Sequence, residues 1–365
     1  MFVLLLSGSL PALTLADFRK VSGPCHFQFP ADHASHPEYR TEWWYYTGNL
    51  QSDDGERFGF QLTFFRVGTQ PASSASSVHE KRSAWRSDQI FAAHAAVTDL
   101  SRRRFHSSEK MARGALGLAG AISKEEGGIV VFLSDWRVEI DGDKHRVFAR
   151  VPEFTIELEL AAAKPPVSHG ERGYSRKGES EEEASCYYSI TRLHAEGRIS
   201  AGGREKAVSG NAWMDHEFSS ASIGPRVSGW DWFSIQLSDG SEVMVYLIRE
   251  KNGGTSPVSS GTYIDPNGNA RRLSMEDLRV KVLDTWKSPS TGATYPSSWL
   301  LDVVPTGMRL EIMPKLADQE VQTPESTRIT YWEGTVSVKG TSNRGLPVEG
   351  EGYVELTGYA GPVRY

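Results

Sequence analysis

The sequence is poor in cysteine and in helical periodicity, and it lacks an excess of charge of either sign. Cys25 and Cys186 are the two cysteines among 365 residues. Two thiols cannot build a disulfide framework, and their separation fits no zinc site. They can form one bridge in an oxidising compartment or simply lie buried. Forty basic against 46 acidic side chains leave a formal charge of −6. That balance lacks the excess that marks nucleic-acid binders and polybasic membrane binders. There is no G-x-S-x-G, no HExxH and no glycine-rich phosphate loop between a strand and a helix. These gaps remove the usual signatures of a serine hydrolase, a zinc protease and a nucleotide site. His33, His36 and Asp215-His216-Glu217 supply ligand types without metal-site spacing, so neither a metal nor a cofactor is expected. Long low-complexity tracts are missing too, so most of the chain can bury a core. The length exceeds what one core usually fills, and two domains are expected.

What the sequence does hold is aromatic rings and glycine: 10 Trp, 13 Tyr, 15 Phe and 35 Gly. Rings suit pleated sheet and glycine suits turns, which points to an all-β protein. Phe154–Leu160 alternates apolar and polar strictly, as a half-buried strand does. Phe60, Leu62 and Phe64 share one face of another strand, and Phe233, Ile235 and Leu237 one face of a third. Further strands are expected at 39–50, 89–100, 129–133, 136–140, 186–200, 242–249, 278–286, 299–304, 328–338 and 353–357. Turn sequences such as Ser52-Asp53-Asp54-Gly55 and Ser238-Asp239-Gly240 separate them, implying antiparallel meanders and hence barrels or sandwiches. Ser274-Met275-Glu276-Asp277 reads as a capping-box turn. Segments 68–88 and 163–184 are too long for hairpin turns and are expected to be mobile or to cover a site.

Met1–Ala16 is uncharged, apolar and interrupted by Pro11, with a small residue before Asp17. It reads as a signal peptide, which places the mature chain in the periplasm or outside the cell. The run is too short and broken for a membrane span. A composition shift near 216–229 marks a domain boundary. The expected division is 17–216 and 217–365.

Two motifs are dense enough to carry chemistry. In His36-Pro37-Glu38-Tyr39-Arg40-Thr41-Glu42-Trp43-Trp44-Tyr45-Tyr46 both strand faces are aromatic, so both are expected to be covered. Arg40 and Glu42 are neighbours able to pair, and Trp43 and Trp44 read as barrel-closing structure. In Trp213-Met214-Asp215-His216-Glu217, Trp213, Asp215 and Glu217 share a face. A carboxyl beside an indole on an inward face is costly unless hydrogen-bonded, paired or protonated. Burial raises its pKa, and a neutral buried Asp is a competent proton donor. The alternative is that Asp215 caps a turn or pairs with Arg40 or Arg192. Tyr187, His216, Trp230 and Trp232 are further candidates for contact with a ligand.

These motifs, with Gly59–Arg66, Ala93-His94 and Tyr187-Tyr188-Ser189, resemble the AttH / hydroxyneurosporene synthase (carotenoid 1,2-hydratase) family, most closely its AttH-like branch. The resemblance implies two packed lipocalin-like antiparallel β-barrel domains. Some fungal relatives are cyclases that fold polyenes in the inter-domain pocket. In the hydratase branch it implies a His-x-Trp pair on one strand and a Tyr-x-Asp pair on a later one. Matched by spacing, the later pair falls on Trp213 and Asp215 and the earlier on Cys186 and Tyr188. A neutral Asp215 would then protonate an alkene, with Trp213 and Tyr188 as aromatic faces for the cation. The leading expectation is a secreted binder of a hydrophobic, lipid- or isoprenoid-like molecule in an aromatic-lined cavity. The alternatives are an acid-catalysed hydratase or isomerase and a periplasmic accessory of an ABC transporter.

Overall fold

The computed structural model of the chain describes residues 17–71, 87–125, 127–221 and 224–363. The expected signal segment, and residues 72–86 of the expected 68–88 loop, lie outside them. The described residues make a 13-stranded and a 10-stranded sheet. The first holds β1 (Thr41–Ser52), β2 (Arg57–Gly68), β3 (Gln89–Asp99), β4 (Arg104–Arg113), β5 (Ala119–Ser123), β6 (Ile129–Leu133), β7 (Trp136–Asp141), β8 (Lys144–Arg150), β9 (Phe154–Ala162), β10 (Val167–Ser168), β11 (Tyr174–Arg176), β12 (Ala184–Ala201) and β13 (Arg204–Ser219). The second holds β14 (Val227–Leu237), β15 (Glu242–Glu250), β16 (Ser260–Ile264), β17 (Ala270–Leu273), β18 (Leu278–Lys287), β19 (Thr294–Val303), β20 (Met308–Pro314), β21 (Glu320–Gln322), β22 (Thr330–Thr341) and β23 (Pro347–Thr357). The expected domain break after residue 216 therefore cuts β13; the chain changes sheets between Ser219 and Val227.

Both sheets follow one plan. Their orders are β4-β3-β2-β1-β13-β12-β9-β8-β7-β6-β5 and β17-β16-β15-β14-β23-β22-β20-β19-β18. In each, a four-stranded meander begins with a strand that pairs antiparallel with the last strand of the same sheet. The first sheet curls until β3 and β4 meet β6. Inward side chains fill both interiors. Trp44, Tyr46, Phe60, Phe64, Trp136 and Ile156 belong to the first core, and Phe233, Ile235, Trp299 and Val336 to the second. The strict alternation of β9 buries Phe154, Ile156, Leu158 and Leu160 in the core and turns the residues between them outward. β8 lies outside the expected strands: a polar residue, His145, takes an inward position, where its ring meets the Tyr46 hydroxyl at 2.7 Å. The capping box at Ser274 is present, closing a single 3-10 turn.

The segment before β1 plugs one end of the first barrel. Phe27, Phe29 and His33 pack against Tyr188 with ring centroids 5.0, 4.8 and 5.6 Å apart. A Cys25–Cys186 disulfide fixes this plug to β12.

The barrels meet through the outer faces of their first and last strands. β1 is almost wholly buried because one face turns into its barrel and the other meets the second barrel. Tyr45, Tyr187, Trp213, Trp232, Met244 and Tyr353 form the junction's apolar cluster. Polar ties surround it. A register shift in β12 between Ile190 and Leu193 breaks the ladder. There Gln236 Nε2 donates to the carbonyls of Thr191 and Ala212 at 2.8 and 2.9 Å. Glu242 accepts from Arg192 and Lys164, each at 2.6 Å. Gly59 lets β2 approach β22 and β23; a Cβ there would sit 2.7 Å from the Tyr353 hydroxyl.

Candidate functional site

A cavity of about 350 Å3 opens between the barrels, on outer faces and inside neither. Trp43 and Tyr45 enter it from β1, Tyr187 from β12, Asp215 and Glu217 from β13, and Trp230 and Trp232 from β14. Glu333 and Glu355 reach it from β22 and β23. Lys177, in the expected covering loop, pairs with Glu217 at 2.8 Å and sits over the Tyr246 ring at 4.0 Å. Lys177 therefore brings that segment to the edge of the cavity.

Asp215 is 4 % exposed. Trp213 Nε1 donates to Oδ1 at 2.6 Å, and the Ser189 hydroxyl donates to the same oxygen. The Tyr187 hydroxyl donates to Oδ2 at 2.8 Å and itself accepts from Trp232 Nε1 at 3.0 Å. A carboxylate offers about four lone-pair sites. Oδ1 is filled by two donors, so a proton on Asp215 belongs on Oδ2. Burial drives the pKa upward, the three donors pull it back, and the result is about 7. The group is thus poised to exchange a proton near neutrality.

Ser189 is held in turn. His169, just after β10, lies with Nε2 2.6 Å from the Ser189 hydroxyl and Nδ1 2.8 Å from that of Thr262. Burial lowers the His169 pKa to about 3, so the ring is neutral. Since the Ser189 proton goes to Asp215, His169 must donate from Nε2 and accept from Thr262 at Nδ1. The chain Thr262–His169–Ser189–Asp215 spans both barrels.

The shared plan of the sheets places a second carboxyl at the matching position. Tyr45 faces Asp215 across β1 and β13, and Trp232 faces Glu355 across β14 and β23. On the other side, Ser189 is opposite Asp215 and Glu333 opposite Glu355. Each barrel thus offers a carboxyl from its last strand to the common cavity.

Several expected site residues lie elsewhere. Tyr188 points into the first barrel, 2.6 Å from His33 Nδ1 and 2.9 Å from His216 Nδ1. Successive strand residues face opposite sides, so a slip of one residue swaps the faces. The pair sharing Asp215's face is Tyr187 and Ser189. Cys186 is bridged to Cys25 and has no free thiol. His216 is inside the barrel, 2.9 Å from Glu42, and does not reach the cavity. Trp213 lies behind Asp215 and acts as its donor, whereas Trp43, expected as closing structure, lines the wall. Tyr187, Trp230 and Trp232 do line it. Asp215 pairs with neither Arg40 nor Arg192. Nor does Glu42 pair with Arg40: Arg66 Nε donates to it at 2.8 Å.

His36, Glu42 and His216 bring donor atoms within 4.8 Å of one another, as a metal site would. Glu42 Oε1 already meets both imidazoles, and Oε2 takes the Arg66 guanidinium. A cation there would face that fixed positive charge. Burial alone would raise Glu42, but His216, His36 and Arg66 hold it well below the usual carboxylate range. The trio is a buried hydrogen-bond network under the plug.

The sequence model of the AttH-like family matches residues 20–359. The crystal structure of a candidate AttH from Nitrosomonas europaea is similar at 33% identity and a TM-score of 0.81, covering 93% of this chain and 99% of that one. Kievitone hydratase from Nectria haematococca shares the fold at 15% identity and a TM-score of 0.69, with 95% and 97% covered. CghA does so at 13% identity and a TM-score of 0.52, with 87% and 88% covered. No curated protein matches the sequence.

Proposed function

This chain belongs to the AttH-like family, and from that premise we propose that it hydrates or isomerises an apolar alkene in the cavity between its barrels, with Asp215 as the acid. The observation that carries this reading is Asp215 itself. It is a buried carboxyl facing an aromatic cavity, with one oxygen saturated by donors and the other left to hold a proton. Three donors also receive the carboxylate that remains once the proton has gone. The Oδ2 proton passes to an alkene carbon and leaves a tertiary cation on its neighbour. Trp43, Trp230 and Trp232 present rings to that cation, which aromatic faces attract. Water then adds, or a neighbouring proton leaves.

The name of kievitone hydratase, a structural neighbour, supports hydration. The Cys25–Cys186 bridge supports work in an oxidising compartment, periplasmic or extracellular, since such bonds are rare in the cytosol.

The test is turnover of geraniol, a trisubstituted isoprenoid alkene, in 18O-labelled water, with the alcohol product weighed by mass spectrometry. Asp215→Asn should lower labelled product on the order of 100-fold, the scale of one general acid. Undiminished turnover in Asp215→Asn would remove Asp215 from the chemistry. Tight binding with no turnover by the native chain would leave a carrier.

A further inference from the structure

The cavity wall opposite Asp215 carries two carboxyls that this reaction has not used. Glu333 and Glu355 are directly paired across β22 and β23 and point the same way. Like charges in that position repel. Glu333 is 2 % exposed, and its Oε1 has no hydrogen-bond partner. The Tyr45 hydroxyl comes alongside this carboxyl, yet it too lacks a partner of good geometry. Glu355 has one donor, Trp230 Nε1 at 3.2 Å. The groups facing the pair are Tyr45 on β1, Asp215 and Glu217 on β13 and Tyr353 on β23. Among the described residues the cations lining the cavity are Lys177 and Arg66, and they are engaged by Glu217 and Glu42.

We infer that Glu333 and Glu355 form a second proton-holding site, and that this pair accepts the proton released as the cation formed by Asp215 is quenched. The inference rests on the alkene reading for its substrate, but not for its proton. Asp215, with three donors to its carboxylate, gives its proton more readily. Glu355, with a single donor among the described residues, forms the more basic carboxylate, so the reacting form, with Asp215 protonated and one proton on the pair, is the minor partner of a resting form in which Asp215 is ionised and the pair fully protonated. Burial, helped by the charges of Asp215 and Glu217, pushes Glu355 up to about 8, and burial beside Glu355 carries Glu333 well above the usual range.

The step balances. The Asp215 O–H bond breaks as a C–H bond forms, giving the cation. In hydration a water oxygen forms the C–O bond and loses a proton to the Glu355 carboxylate. In isomerisation a neighbouring C–H bond breaks, and its proton goes to the same place. Asp215 is left ionised and the pair fully protonated; the proton then returns through cavity water. No oxidant, metal or co-reactant is consumed. A donor on one wall and an acceptor on the other suit a substrate whose two reacting carbons are adjacent.

The experiment is an infrared pH titration of the ligand-free protein with 13C-labelled glutamate carboxyls, in an Asp215→Asn background. A carboxylic-acid C=O band that moves with the glutamate label should persist at neutral pH. It should be lost when Glu333→Gln and Glu355→Gln are combined. The parent titration needs no change at either position, so a misfolded double variant does not decide it. Absence of the labelled band in the parent, or its survival in a folded double variant, overturns the inference. In the native background, Glu355→Gln should lower hydrated geraniol on the order of 100-fold, while deuterium from D2O still enters the alkene. Native product rates in Glu355→Gln would overturn the acceptor role. Failure of Asp215 as the acid would show separately, as turnover surviving in Asp215→Asn.

Discussion

Asp215, Glu333 and Glu355 share a thermodynamic consequence. Burial is the leading cause of a raised pKa at all three. An unfolded chain holds such carboxyls near 4. Between that value and the folded ones the native state binds more protons than the unfolded state, so stability falls as pH rises through the window. Glu42 works in the opposite sense. Its pKa is depressed, so its contribution is present above the unfolded value and is lost as pH falls. Melting temperatures measured from pH 5 to pH 9 should therefore decline in the native protein. The decline should be shallower in Glu355→Gln, which removes one titrating group; parallel curves would contradict the buried-acid assignment. Asp215 was legible in the sequence because a carboxyl two residues from Trp213 on one strand face is chemically conspicuous. Ser189, His169 and Thr262 were not, because each takes its role from a partner on another strand. Glu333 and Glu355 sit in strands whose alternation is plain, yet nothing local says that their outer face is covered.

At the level of elements, β12 serves both the barrel and the cavity. The strand expected at 186–200 lies within its 18 residues. Its two faces, however, lead to different places: Cys186 and Tyr188 to the plugged barrel, Tyr187 and Ser189 to the cavity. Matching by spacing alone set Cys186 and Tyr188 beside Asp215, whereas the residues that share its face are Tyr187 and Ser189. Period two settles which residues belong together, not which set meets the ligand. β1 posed the same difficulty, since aromatic residues on both faces gave no sign that Trp43 opens on the cavity while Trp44 fills a core. The plug had no strand or helix signature beyond Cys25. Because the bridge spans 161 positions, it restricts the unfolded chain strongly. Replacing Cys25 or Cys186 by serine should cost about 2–5 kcal/mol, read as a lower urea midpoint. An unchanged midpoint would show that the plug is held without it.

At the scale of the whole molecule, the length pointed to two domains and the turn spacing to meanders, and both followed from local chemistry. The location of the site did not, because it belongs to neither domain. Each barrel has a filled interior and turns an aromatic, acid-bearing outer face toward the other. Asp215 is buried where the second barrel packs against its strand, and its donor chain ends on Thr262 of that barrel. The central claim is that this packing keeps a protonatable acid in the cavity near neutral pH. Its most direct test is a 13C NMR titration of aspartate carboxyls in the intact chain, with the Asp215 signal assigned by its loss in Asp215→Asn. A midpoint near 7 is expected. A midpoint at or below the unfolded value near 4 would mean that Asp215 is ionised throughout the working range, and the acid role would fall with it.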